Sequence, residues 1–153
     1  MHIYLIRHAH AEDRIDDALR PLSKKGLRQI RSMGRFLRES GAIEAKVIWH
    51  SPLIRAAETA ACLVKRLKLP AKVIQMSGLR PQDDPQLVAC KLGDLHSPVA
   101  VVGHDPHLSA LASLLVCGHA EPPRFALKKC SVIRLDRSSL GWSVRWHISP
   151  ELL

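Results

Sequence analysis

Two patterns of apolar and polar residues alternate along the chain: short β-rich runs and longer stretches with helical periodicity. His2-Ile3-Tyr4-Leu5-Ile6 is a branched and aromatic run of strand length, and such side chains suit a buried pleated surface. It predicts a strand that opens at once into Arg7-His8-Ala9-His10-Ala11. A polar stretch with Glu12, Asp13, Asp16 and Asp17 follows and ends at Arg20-Pro21-Leu22-Ser23. Ser23 is the expected N-cap of a helix reaching about Ser40, with Gly41 as its stop. Leu27, Ile30, Gly34 and Leu37 recur at three- and four-residue spacing and form its expected buried face. Lys24, Arg28, Arg31, Arg35 and Arg38 form a basic stripe beside it, open as solvated surface or as a docking face.

Val47-Ile48-Trp49 is the next strand, followed by His50-Ser51-Pro52-Leu53-Ile54-Arg55. Ser51 as N-cap and Pro52 as first helical residue predict a helix to about Leu67, ended by Leu69-Pro70. Lys72 to Gln75 is a third strand, Ser77 to Pro85 a loop, and Gln86 to about Leu95 a helix with Leu87, Val88, Leu92 and Leu95 inward. Val99-Ala100-Val101-Val102 is a continuous apolar run, the pattern of a parallel strand buried on both faces. Asp105-Pro106 then opens a helix to roughly Cys117. Ser131 to Asp136 and Trp142 to Ile148 predict an antiparallel hairpin turning near Ser138 to Gly141. Repeated strand–helix units imply a largely parallel sheet, with strand ends gathered on one edge.

At 153 residues with no visible linker or repeat, one domain over 1–153 is expected. The formal net charge of +9 favours anionic partners over a neutral surface. No apolar run is long enough for a membrane span, and the start goes straight into a strand, so a cytoplasmic protein is expected. Cys62, Cys90, Cys117 and Cys130 form no Cys-x-x-Cys pair and are read as reduced thiols, the first three on helices facing the core. The histidines show no helical metal-ligand spacing, and no cofactor or metal is expected.

Chemistry enters at the strand ends, where open α/β sheets hold their ligands. His8, Arg55 and His104 each follow a predicted strand, and Arg7 precedes His8. Arginine offers a planar fork to phosphate oxygens, and Arg55 falls in the opening turn of a helix, where backbone N–H groups favour an anion. Neighbouring guanidiniums would keep His8 neutral, and a neutral imidazole is a competent nucleophile. Phosphoryl transfer needs mainly positioning and charge stabilisation, so Arg7, His8, Arg55 and His104 together fit a phosphoryl pocket.

Those residues carry a resemblance. Arg7-His8-Ala9, Ser51-Pro52-Leu53-x-Arg55-Ala56-x-x-Thr59-Ala60 and Val102-Gly103-His104 resemble, in order, the signatures of the histidine phosphatase superfamily. The resemblance implies a phosphoglycerate mutase-like three-layer α/β sandwich, His8 as phosphorylated nucleophile, and Arg7, Arg55 and His104 as phosphate ligands. Arg20-Pro21-Leu22-Ser23, Leu79-x-Pro81 and His104-x-Pro106 resemble the small bacterial phosphohistidine phosphatases of the SixA type, in which Arg20 would also reach the pocket. Larger members place a glutamate proton donor after the third strand. Here that neighbourhood reads Gly78-Leu79-Arg80-Pro81-Gln82-Asp83-Asp84, leaving Asp83, Asp84 or no group at all in that role.

An alkoxide leaving group benefits from a general acid, whereas the imidazole of a phosphohistidine leaves as a near-neutral group. The sequence therefore points to hydrolysis of a phosphohistidine on another protein, of phosphorelay or phosphocarrier type. A small-molecule phosphomonoesterase and a non-catalytic anion-binding module stay open beside it. A monomer is expected, with neither membrane nor nucleic acid as partner. His10 is read as entrance loop, His50 and Ser51 as turn and cap, Thr59 as partner of a buried backbone group, Trp142 and Trp146 as packing, and His107 has no assigned role.

Overall fold

The computed structural model of the chain describes residues 1–153. Its centre is a six-stranded sheet: β1 (His2–Arg7), β2 (Val47–His50), β3 (Lys72–Gln75), β4 (Val99–Gly103), β5 (Val132–Ser138) and β6 (Gly141–Ile148). The spatial order is β3-β2-β4-β1-β5-β6. The first four strands are parallel to one another, and β5 and β6 close the sheet as an antiparallel pair beside β1.

Four helices cover the two faces: α1 (Lys24–Ser40), α2 (Ile54–Leu67), α3 (Pro85–Gly93) and α4 (His107–Cys117). Ile30, Met33 and Leu37 of α1 and Ala56, Ala60 and Leu63 of α2 pack on one face, against Tyr4, Ile6, Ile48, Ala100 and Val102. Val88 and Leu92 of α3 and Leu108, Leu111 and Ala112 of α4 pack on the other, against Ile3, Leu5, Val99 and Val101. Alternation along β1 and β4 therefore divides their side chains between two cores, which is why both strands are apolar throughout.

The caps explain several boundaries. Ser23 accepts the Gly26 N–H at 3.1 Å, and Gly41 ends α1 in the left-handed conformation that glycine tolerates. Asp84 caps α3 by accepting the Gln86 N–H at 2.9 Å, with Pro85 as the first helical residue.

Other expectations are corrected. The helix after β2 begins at Ile54 with Leu53 as its N-cap, and Ser51 lies ahead of it, accepting the Leu53 N–H at 3.3 Å. Pro106, not Asp105, directly precedes α4, although the Asp105 carboxylate still accepts the Ser109 N–H at 3.2 Å. Leu27 and Leu87 are exposed, because Gly26 and Met33 on α1 and Val88 on α3 take the inward arc instead. Leu95 is half-buried just beyond α3. Cys90 and Cys117 are exposed and Cys62 half-buried, and only Cys130 is buried.

Trp142 and Trp146 pack on opposite faces of the sheet. The cause is a bulge: Arg134 pairs with Trp146 and Leu135 with Val144, so Arg145 is the extra residue and inverts the alternation.

Candidate active site

The site forms where β1, β4 and β2 end side by side. Arg7 is the last residue of β1, His104 follows β4 directly, and Arg55 is in the first turn of α2 after β2. The His8 N–H donates to the Gly103 carbonyl at 2.9 Å and the Ser51 N–H to the Val102 carbonyl at 3.0 Å, so the sheet ladder extends into the three loops that carry the site. Close packing of the first loop on α1 requires Gly26, since a Cβ there would lie 2.1 Å from the His10 carbonyl oxygen.

His8 is 5% exposed, and its Nδ1 lies 2.7 Å from the Ala9 carbonyl oxygen. A carbonyl only accepts, so Nδ1 carries the proton and Nε2 keeps its lone pair. The His104 ring lies 5.0 Å away, centroid to centroid. Its Nε2 is 2.7 Å from the Ser51 hydroxyl, while its Nδ1 is buried and unpartnered. Burial, followed by the guanidiniums of Arg55 and Arg7, pushes the His8 pKa down to about 3. Burial, then His8 and Arg55, does the same for His104, also to about 3.

Both arginines are held by the protein and keep donors in reserve. Arg7 Nη1 donates to the Leu127 carbonyl at 2.7 Å and approaches Asp105 at 3.4 Å. Arg55, 4% exposed, donates through Nη1 to the Asp17 carbonyl at 2.8 Å and through Nη2 to the Asp17 carboxylate at 3.1 Å. The Nε of each is buried with no partner. Thr59 ties these parts together, donating to the Arg55 carbonyl at 2.7 Å and accepting the Ala9 N–H at 3.1 Å. Its expected role as partner of a buried backbone group is met by that second bond.

Arg20 meets the group through Asp17. Its Nη1 donates to the second carboxylate oxygen at 3.1 Å, and its Nε to the Glu12 carbonyl at 2.9 Å. Asp17, on a short 3₁₀ turn, thus bridges Arg20 and Arg55, and those two arginines hold its carboxyl below the usual range against the opposing effect of burial. Neither acidic residue of the later loop approaches in this way. Asp83 accepts the Arg80 N–H at 2.8 Å, and Asp84 caps α3. His10 lies at the rim with Nδ1 2.7 Å from the Ser23 hydroxyl, and the His50 Nδ1 is 2.8 Å from the Ser51 carbonyl. His107 is buried, and both its ring nitrogens lack partners. No three His, Cys, Asp or Glu side chains come together in a way that could hold a metal ion.

Sequence reasoning missed Asp17 and the Ser51–His104 bond. Asp17 sits in an acidic loop without periodicity, 38 positions from Arg55. Ser51 shows the sequence pattern of a cap, which masks its contact with His104. The arrangement can bind a tetrahedral anion between two guanidiniums and a neutral imidazole, with an unprotonated nitrogen beside it.

The buried neutral histidines also fix a pH response. Between about pH 3 and the ordinary value of 6.5 the unfolded chain binds protons that His8 and His104 do not, so stability rises with pH and falls on acidification. At pH 5 each should cost about 2 kcal/mol relative to pH 7.5. Denaturant unfolding at both pH values should show that loss reduced by about 2 kcal/mol in His8→Gln. An unchanged loss would contradict the assignment.

With the geometry in place, comparison with known proteins gives the class. Residues 3–83 match the family model of the histidine phosphatase superfamily (branch 1), more than half of the chain, and the protein belongs to that superfamily. Its structure resembles that of the protein histidine phosphatase SixA complexed with tungstate, with 25% identity over 99% of each chain and a TM-score of 0.88. A candidate phosphohistidine phosphatase SixA from Agrobacterium tumefaciens superposes with a TM-score of 0.81 at 18% identity over 97% of each chain. A mycobacterial glucosyl-3-phosphoglycerate phosphatase shares the fold at 18% identity, covering 97% of this chain and 99% of its own, with a TM-score of 0.71. The chain therefore has the phosphoglycerate mutase-like fold and is of SixA type in form. Comparison with curated protein sequences finds no match. No helix is long and apolar enough to cross a membrane.

Proposed function

We propose that residues 1–153 form a single phosphohistidine phosphatase domain, which removes the phosphoryl group from a phosphohistidine on another protein without a metal ion. The observation that carries this reading is the fixed tautomer of His8: Nδ1–H held on the Ala9 carbonyl, Nε2 free, with Arg7, Arg55 and His104 around it. The structurally similar SixA was solved as a complex with tungstate, a tetrahedral oxyanion like phosphate, which is consistent with an oxyanion-binding protein of this fold.

In this reading the Nε2 lone pair attacks phosphorus as the substrate P–N bond breaks. The electron pair leaves on the substrate imidazole, which already carries a proton on its other ring nitrogen and so departs as the neutral base. The phosphoryl group is then on His8, and water attacks it, displacing His8 and giving inorganic phosphate. Arg7 and Arg55 bear the charge on the equatorial oxygens in both steps. His104 donates to the same group through Nδ1 when its Nε2 accepts the Ser51 hydroxyl proton. Arg20, at the rim, meets the group through Asp17.

Engagement of Asp83 and Asp84 by their own loop favours a phosphoramidate over a phosphate monoester. A positioned general acid contributes about 10²- to 10⁴-fold, and an imidazole leaving group has little need of it. The protein is expected to act as a cytoplasmic monomer. The test is kcat/KM for a phosphohistidine-bearing carrier protein against a panel of sugar and nucleotide monoesters. A preference of at least about 100-fold for the carrier is expected, and an equal or better monoester would replace this reading with a metabolite phosphatase.

A further inference from the structure

A second basic feature lies on the helical face, away from the strand ends. Arg31, Arg35 and Arg38 of α1 face Lys65, Arg66 and Lys68 at the end of α2 across a groove of about 450 Å³. No acidic side chain lines it, and none of these six cations makes an ion pair or a side-chain hydrogen bond. The cations that do meet carboxylates, Arg7, Arg20, Arg55, Arg134 and Lys128, all lie outside the groove. Along α2, Arg66 is eleven residues from Arg55, about 16 Å of helix, so the groove is separate from the active site.

Helix dipoles explain part of the sequence. Arg38, Lys65 and Arg66 occupy last turns, where cations are favoured. They do not explain Arg31 and Arg35 in the body of α1, nor two rows of like charge facing each other, which repel. Gly34 adds a steric observation. It is buried inside α1, and a Cβ there would meet the Arg66 side chain at 3.2 Å. Glycine is unfavourable in a helix interior, yet here it lets the Arg66 stem lie across α1 and form the groove wall.

We propose that this groove is a second anion site that takes a short linear polyphosphate. Its only apolar lining residue is Cys62, so it offers no platform for a nucleobase or an aromatic ring. A ligand whose surface is almost all charged oxygen fits it, and arginine forks suit phosphate oxygens in pairs. From Arg31 to Arg38 is about 10 Å along the helix, the reach of a chain of a few phosphates. A protein partner would need a broader face than a concave groove of this size, and duplex nucleic acid would lie across the outer stripe without entering it.

The test is an NMR titration of the intact protein with tripolyphosphate at about 0.15 M salt, beside calorimetry on Arg35→Glu/Arg66→Glu and Arg55→Ala. Saturable amide shifts at Gly34, Arg35 and Arg66 are expected in the wild type. Affinity should fall at least tenfold in the double variant and persist in Arg55→Ala, with phosphatase turnover of the double variant unchanged. Shifts confined to residues 7–9 and 103–104, or loss of binding in Arg55→Ala alone, would place the polyphosphate in the catalytic pocket and overturn the proposal. So would equal displacement by duplex DNA or by polyglutamate, which would show a general polyanion face. The wild-type titration decides the matter even if the double variant does not fold.

Discussion

His8→Ala is expected to lower turnover of a phosphohistidine carrier protein by at least about 10⁴-fold, the scale seen when a covalent nucleophile is removed. Nothing else nearby can take its place. His104 Nε2 is engaged by Ser51, and in the proposed mechanism its Nδ1 carries the proton it donates to the phosphoryl group, leaving no free lone pair for attack. The loss should appear in kcat. Binding of a phosphate analogue should change by only a few-fold, because Arg7, Arg55 and His104 remain. The fold should also survive, since the side-chain hydrogen bond lost is the one to the Ala9 carbonyl. Single-turnover kinetics and tungstate binding, measured on the same preparation, separate the two effects. A variant that still turns over at a tenth of the wild-type rate would remove His8 from the mechanism.

Arg55→Ala should have the next largest effect, a fall of about 10³-fold in kcat/KM, or roughly 4 kcal/mol of transition-state stabilisation. The magnitude follows from placement. The guanidinium is almost fully buried at the start of α2, where its charge is poorly screened, and its Nε has no partner within the protein. Arg55→Lys should recover only part of the loss, because lysine restores the charge but not the fork. Asp17 makes the result more informative. Its carboxylate lies 3.1 Å from Arg55 Nη2, so an arriving phosphoryl group shares or displaces it. Steady-state kinetics of both variants would show whether the fork or the charge dominates. Equal activity of Arg55→Lys and wild type would mean that geometry contributes nothing.

The residues that lead to these expectations were legible in the sequence because each lies at or just beyond the end of a strand, Arg55 in the helix turn that follows β2. A run such as Val99 to Val102 has the pattern of a strand buried on both faces, and parallel connections bring strand ends to one edge, where Arg7, His8, Arg55 and His104 lie. Contacts between elements without periodicity stayed hidden. Asp17 reaches Arg55 from an irregular loop, and Ser51 reaches His104 across 53 positions while also bonding the Leu53 N–H as a cap would. The bulge at Arg145 inverted the alternation that would have put Trp142 and Trp146 on one face. Leu27 and Leu87 show the limit of periodicity from the other side, since an apolar residue at the edge of a helical arc fits the pattern and still faces solvent.

The basic stripe is a case where sequence and structure answer different questions. Spacing places Arg31, Arg35 and Arg38 on one side of α1 but says nothing of what faces them. The second row from α2, and the groove between the two, come from the packing of the helices.

One measurement tests the central claim most directly: rapid acid-free quenching of the enzyme with a carrier protein labelled on its phosphohistidine, followed by mass mapping of the labelled enzyme. Transfer of the label to His8, appearing before inorganic phosphate and decaying with it, is the expected result. Release of phosphate with no label on the enzyme, or a label on any other residue, would contradict the account.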